Sequence, residues 1–189
     1  MKLAGYFTLY RYYAHPDRER ARFAHVLLLP PYRKSGVGAK FLSAVFDDIC
    51  ASDRILDTTA ETPADAFVFL RDYVDCVRCK PLEEFSAENL RRGFNSAPGG
   101  LRAEEPQDTQ TRRISELLRY YYAQTSQPED MEAFEASVKK RLALPFASLV
   151  PRLHAHAERE RAVAEGFKDT LEMYEQVLDR LRRFESHLF

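Results

Sequence analysis

RFAHVLLLPPYRKSGVGAKFL, residues Arg22–Leu42, is the stretch around which the chain is organised. It opens with an apolar run, Phe23 to Leu29, interrupted only by His25. Its length and its β-branched and aromatic members predict a buried strand. Pro30-Pro31 ends it, because proline donates nothing to a sheet ladder and keeps its predecessor extended. Arg33-Lys34-Ser35-Gly36-Val37-Gly38-Ala39 follows. An amphipathic pattern with Phe41, Leu42, Val45 and Phe46 on one side then predicts a helix over Ala39 to Ile49. In a strand–loop–helix arrangement the backbone N–H groups at the helix N-terminus can receive an anion. Gly36 and Gly38 are expected to let the backbone approach such a ligand with no Cβ in the way.

Upstream, Gly5 to Tyr13 is dense in strand formers. Alternation puts Tyr6, Thr8, Tyr10 and Tyr12 on one face and Phe7, Leu9, Arg11 and Tyr13 on the other. The tyrosines suit a core, an edge, or a groove for a peptide, since a phenol combines apolar area with one polar handle. His15-Pro16-Asp17 predicts the turn, and the charged run Asp17 to Arg22 a hairpin connection into the Phe23 to Leu29 strand.

Downstream, Arg54 to Ala60 predicts a further strand, and strand, helix and strand at this spacing make a right-handed βαβ unit with parallel strands. Glu61-Thr62-Pro63 ends that strand. Ala64 to Cys79 is helical in pattern, with Ala66, Phe67, Leu70, Tyr73 and Val74 on one stripe. Ser86 is the expected N-cap of a short helix, with Asn89 where a capping box would want Glu or Gln.

The character changes after Phe94. Asn95 to Thr111 is a polar linker containing glycine and proline, which divides the chain into an α/β region over 1–94 and a helical region over 112–189. In the latter, Arg112 to Thr125 carries Ile114, Leu117, Leu118, Tyr121 and Tyr122. Pro128 to Leu144 carries Met131, Phe134, Val138 and Leu142, after which Pro145 and Pro151 are expected to break the pattern. Glu158 to Phe189 carries Phe167, Leu171, Tyr174, Leu178, Leu181 and Leu188, a stripe suited to a helical hairpin or to a partner groove.

The chain has 189 residues, 45% hydrophobic and 30% charged, with a net charge of −1. Nothing in that balance points to nucleic acid or to an anionic membrane. No apolar run approaches the roughly 18–20 residues of a membrane span, and MKLAGYFTLY does not read as a signal peptide. Three cysteines make a disulfide framework unexpected, and a reducing compartment is the default. Cys76-Val77-Arg78-Cys79 is formally C-x-x-C, but the second pair of a structural zinc site is missing.

The glycine loop lacks the first glycine and the Lys-Ser/Thr pair of a P-loop, and only Gly36-Val37-Gly38 of a dinucleotide fingerprint is present. What remains is [RQ]-x-x-G-x-[GA] after a strand, satisfied by Arg33, Gly36 and Gly38. In a parallel α/β unit function sits at the carboxyl ends of the strands, which brings Glu61 into the same neighbourhood as the loop. Deprotonating a lysine ammonium, with a pKa of about 10.4, needs a base. A carboxylate serves if burial raises its own pKa towards neutrality.

The loop resembles the acetyl-CoA loop of the GNAT superfamily of N-acetyltransferases. More specifically, YFTLYRYYAHPD, LLLPPYRKSGVGAKFL, LDTTAETP, FVFLRDYVDC, FSAENLRRGFN and VKKRLALPF succeed one another in the order seen in the histone acetyltransferase type B catalytic subunit family. The resemblance covers nearly the whole chain, thinning over Asn95 to Thr111 and after Pro151. It implies a partial GNAT core of α/β (α+β) class with a mixed sheet, followed by a helical region. It also implies acetyl-CoA as co-substrate with no metal, and direct attack of a lysine amine on the thioester with no covalent enzyme intermediate. The substrate implied is the histone H4 tail, the partner a WD40-type histone chaperone, and the location nucleus and cytoplasm. Carried over by motif, Val26, Leu27 and Leu28 would meet the acetyl and pantetheine groups. Arg33, Lys34, Ser35, Gly36, Val37, Gly38 and Ala39 would cradle the pyrophosphate. Glu61 would be the general base, and Tyr10, Arg11 and Tyr12 would contact the histone tail.

Two departures bear on that expectation. Thr62 stands where family members often carry an aspartate after the base. The chain also begins at what would be the third strand of the usual fold, leaving the edge at Gly5 to Tyr13 open to association. The competing expectations are therefore an inert core whose helical region, Arg112 to Phe189, binds a histone or chaperone, and an acetyltransferase acting on a small amine.

Overall fold

The computed structural model describes residues 3–92, 109–148 and 156–184. The chain divides into two compact units, Met1–Val74 and Asp75–Phe189.

The first unit is built on a three-stranded sheet in the order β1-β2-β3: β1 (Gly5–His15), β2 (Arg18–Leu28) and β3 (Ile55–Ala60). β1 and β2 are antiparallel and β2 and β3 parallel, the mixed sheet of an α+β protein, with α1 (Val37–Cys50) between the parallel strands. The expected connection at Asp17 to Arg22 is instead strand from Arg18 onward. Its charges are tolerated there because they pair across the sheet. Arg20 is held by both oxygens of Asp57 in β3, and Glu19 lies 3.1 Å from Arg54.

One face of the sheet carries the core. Phe23, 3% exposed, packs edge-on against Phe46 of α1 at 5.9 Å and against Phe67 of α2 (Asp65–Cys79) at 5.4 Å. Phe7 meets Phe41 of α1 at 4.4 Å. Leu42, fully buried, and Ala21 complete this layer; a leucine or phenylalanine so buried contributes about 1.5–3 kcal/mol. The buried strand expected over Phe23 to Leu29 is buried only at its start, at Phe23. Val26 and Leu28 are half-buried and Leu27 is exposed, because β3 runs beside β2 only from Glu19 to Phe23.

In the second unit α4 (Thr109–Ala123) touches α3 (Ala87–Arg92), α5 (Pro128–Ser148) and α6 (His156–Phe184). Five consecutive α4 residues, Ile114 to Leu118, are buried, as befits a helix surrounded by others. Thr109 to Thr111, expected in the linker, form its first turn; the rest of the linker lies outside the described residues, as do Pro151 and Leu188. Phe134 and Val138 of α5 and Tyr174, Leu178 and Leu181 of α6 are buried, so the long stripe packs within its own unit. Ser86 caps α3 as expected, its Oγ accepting from the N–H of Asn89 at 3.3 Å. Asn89 reaches the carbonyl of Glu83 rather than closing a capping box. Pro145 does not break α5; it sits inside the helix three residues from its last residue, Ser148, and follows the exposed Ala143 and Leu144. The proline costs the ladder one bond, the one an N–H at this position would make to the carbonyl of Arg141.

Candidate functional site

Past Phe23, β2 loses its partner on the β3 side. The last rung is the N–H of Glu61 donating to the carbonyl of Phe23 at 3.0 Å. Thr62 then takes φ 41°, a left-handed conformation rare for a β-branched residue, and the chain leaves the sheet. On β2 an unpaired Ala24 shifts the register with β1. From there to Leu28 one backbone edge of β2 carries no strand among the described residues. Leu29 donates its N–H to Ala4 on the β1 side, so alternation leaves the amide groups of Val26 and Leu28 on the unpaired edge.

The loop closing the far end of that edge has a definite shape. Pro30–Tyr32 form one 3-10 turn, Ser35 Oγ donates to the carbonyl of Tyr32 at 2.8 Å, and Lys34 and Gly36 have φ of 57° and 82°. α1 begins at Val37, two residues earlier than expected, with Gly36 as N-cap and no side chain bonded to its first-turn N–H groups. Those donors, with Lys34 and Lys40 exposed beside them and no acidic residue in the first turn, make an electropositive end. Arg33 turns back, its Nε donating to the carbonyl of Leu28 at 2.8 Å, and so occupies an acceptor on the open edge.

The two glycines have different surroundings. Gly36 adopts a conformation that side chains resist, with open space around it. A Cβ on Gly38 would lie 2.7 Å from Leu28 Cδ1 and 3.5 Å from Leu70 Cδ2, so Gly38 lets helix and sheet pack closely.

The face of the sheet opposite α1 and α2 is marked by its contacts. Thr8 Oγ1 lies 3.0 Å from His25 Nδ1, Arg20 pairs with Asp57, and the Arg22 guanidinium carbon stands 5.2 Å from the centre of the Tyr12 ring. Tyr10, 61% exposed, lies opposite Arg22 on this face. Alternation along β3 places Thr59 and Glu61 on it with Asp57. Two of the three expected substrate contacts, Tyr10 and Tyr12, thus share a face with Glu61. Arg11 does not; it projects to the α1 side, 3.8 Å from Asp48. Glu61 is exposed, so the burial expected around this carboxylate is not provided by the described residues.

The C-x-x-C pair is divided by environment. Cys76 is fully buried, and burial, reinforced by the charge of Asp75 and opposed by Arg78, pushes the Cys79 thiol up to about 11. Among the described residues no group of three or more His, Cys, Asp or Glu is gathered as metal ligands would be, and no helix is long and apolar enough to cross a membrane.

Residues 71–120 match the family model described as histone acetyltransferase type B catalytic subunit, C-terminal. The chain is 30% identical to the histone acetyltransferase type B catalytic subunit of Rattus norvegicus, over 94% of this chain and 47% of the relative. It is 29% identical to that of Homo sapiens over the same shares. Against that of Cryptococcus neoformans it is 26% identical, over 92% of this chain and 44% of the relative. The chain spans about half the length of the relatives it matches.

Proposed function

The chain is related to the type B histone acetyltransferase catalytic subunits over nearly its whole length, and on that premise we propose that it forms part of an acetyl-CoA-dependent lysine acetyltransferase acting on a histone tail, that of H4 by resemblance. The observation that carries this reading is the open edge of β2 from Ala24 to Leu28, lying between Glu61 at one end and the uncapped start of α1 at the other.

The residues present fit the co-substrate. The amides of Val26 and Leu28 would pair with the amide-bearing arm of acetyl-CoA as a further strand pairs with a sheet edge. Leu27 takes the opposite face of β2 and would flank the arm rather than bond it. The N–H groups of Val37, Gly38 and Ala39, with Lys34 and Ser35 beside them, would receive its pyrophosphate. Arg33 would turn from the Leu28 carbonyl to that anion. When bound, acetyl-CoA supplies an acetyl group already activated as a thioester. Glu61 accepts a proton from the lysine ammonium, freeing the amine to attack, and Tyr10 and Tyr12 provide apolar area along the path of the peptide. Exposure of Glu61 means that bound substrate itself supplies the desolvation a base needs. A WD40-type chaperone as partner, and a nuclear and cytoplasmic location, go with this reading.

The deciding experiment is a calorimetric titration of the whole chain with acetyl-CoA. One-to-one saturable binding that weakens in Lys34→Gln and Arg33→Gln is the expected result. A folded chain that binds none would overturn the reading. A second reading, a binding module without catalysis, draws on the self-contained core of the unit Asp75–Phe189. Retention of a histone or chaperone by the chain, with no transfer, would favour it.

A further inference from the structure

We propose that Arg22 is a specificity determinant on the open face of the sheet, disfavouring a second cation beside the acceptor lysine and accepting neutral or acidic neighbours. The proposal rests on the acetyltransferase reading and names a residue that reading leaves without a role.

The four arginines of β1 and β2 are differently placed. Arg11 lies 3.8 Å from Asp48, Arg18 donates to the backbone carbonyl of Asp53, and Arg20 is gripped by both oxygens of Asp57. Arg22 has no carboxylate partner among the described residues; its guanidinium stands over the ring of Tyr12, 5.2 Å from the centroid. A ring orients a cation through its quadrupole but does not neutralise it, so a full positive charge stays on this face. Across the ladder Arg22 pairs with Thr59, whose Oγ1 is buried without a hydrogen-bond partner, and Thr59 precedes Glu61 by two residues on the same face. Neighbouring strands lie about 4.8 Å apart and successive same-face residues about 6.6 Å apart. A peptide that presents a lysine to Glu61 across this face therefore brings the residues flanking that lysine within reach of the Arg22 guanidinium.

The chemistry that follows is a filter by charge. An arginine or lysine next to the acceptor meets a like charge a few ångströms away in partly excluded solvent. A glycine meets none, and a glutamate finds a partner in the Arg22 guanidinium. Between exposed groups the effect is about threefold to tenfold in affinity at low salt, and it shrinks as ionic strength rises.

The test uses three short peptides carrying the same fluorophore, each with one central lysine flanked on both sides by glycine, arginine or glutamate. Their affinities for the whole chain are read by fluorescence anisotropy at low ionic strength. The arginine-flanked peptide is expected to bind about threefold to tenfold more weakly than the glycine-flanked one. Arg22→Gln erases that gap, Arg22→Glu inverts it, and Arg22→Lys keeps it. Arg54→Gln, which removes a cation near the start of β3, leaves it unchanged. Equal affinities of the wild-type chain for all three peptides, or a gap that survives in Arg22→Gln, would overturn this proposal alone. No binding of any peptide would overturn the acetyltransferase reading and this proposal with it. Circular dichroism of each variant confirms that the comparison is between folded chains.

Discussion

Glu61 donates its backbone N–H to the carbonyl of Phe23 at 3.0 Å, and that rung ends the ladder between β2 and β3. The same bond anchors the candidate base to a residue whose ring is locked between α1 and α2. The backbone of Glu61 is thus fixed by the core while its carboxylate stays in solvent. Because the side chain takes no part in that anchoring, Glu61→Gln is expected to leave folding and acetyl-CoA affinity within about twofold, while transfer to a lysine peptide falls ~10²–10⁴-fold. Rates and calorimetry on the same preparation check this. An equally fast glutamine variant excludes Glu61 as the base.

The two loop glycines should respond in opposite ways to substitution. Gly36→Ala places a side chain at φ 82° with nothing near it, a backbone cost of about 1–2 kcal/mol without a clash. Gly38→Ala adds a methyl 2.7 Å from the flexible end of Leu28 but gains about 1 kcal/mol in helix propensity, so it should come close to neutral. Gly38→Val has no such relief and should cost about 1–3 kcal/mol. Urea midpoints order the three variants. If Gly38→Val were as stable as the wild type, the assignment of Gly38 to packing would fail.

How much of this was legible beforehand follows from the range over which each residue finds its partners. The strand–loop–helix around Gly36, the parallel β2–β3 pair, the Ser86 cap and the apolar stripe of α6 all rest on local periodicity or turn chemistry, and each was readable. The start of β2 was not, because Arg20 is made acceptable by Asp57, thirty-seven residues on. Alternating charges at Arg18, Arg20 and Arg22, set against Asp57 in the next strand, were the available signal. The exposure of Leu27 was hidden for the converse reason: an apolar run says nothing about where the neighbouring strand stops. At the site, the loop and Glu61 were legible as a pair, but the separation of Arg11 from Tyr10 and Tyr12 depends on the sheet faces, and the standing of Arg22 on the carboxylates that pair with the arginines around it.

Glu116 illustrates the same limit and yields a prediction on stability. It is a buried carboxylate on α4, held by Arg141 through Nε at 2.7 Å and Nη2 at 3.0 Å, and by the hydroxyl of Tyr174 at 2.9 Å. Arg141→Met leaves that carboxylate without its cation and should cost about 3 kcal/mol. The double variant Glu116→Gln with Arg141→Met should recover most of it. Urea unfolding at neutral pH checks both; a double variant no better than the single one would show that packing, not charge, dominates.

Tyr174 adds a pH dependence of known sign. Burial first, then the charge of Glu116, raises its phenol above the ordinary value. Its folded pKa lies above the unfolded one, so the stability it contributes is complete below about pH 10 and is lost as pH rises beyond that. Tyr174→Phe should therefore cost about 1 kcal/mol at pH 7, from the lost hydrogen bond, and lose less than the wild type between pH 10 and 11. Parallel alkaline limbs in the two proteins would remove Tyr174 as a source of the slope.

The cysteines provide a test of the environment at the end of α2. Cys50 is exposed, Cys79 is half-buried with its thiol pushed up to about 11, and Cys76 is fully buried. Alkylation proceeds through the thiolate, so at pH 8 a thiol of pKa about 11 presents roughly a hundredfold less of the reactive form than a model-peptide thiol. Iodoacetamide should accordingly modify Cys50 first and Cys79 far more slowly, leaving Cys76 untouched until the helical unit unfolds. Mass spectrometry of the tryptic peptides over time reads the order directly. Rapid loss of both Cys76 and Cys79 in the native protein would mean that this turn opens readily. Persistence of both until denaturant is added places the pair in the core of the fold, with the role of buried apolar groups rather than of a redox couple.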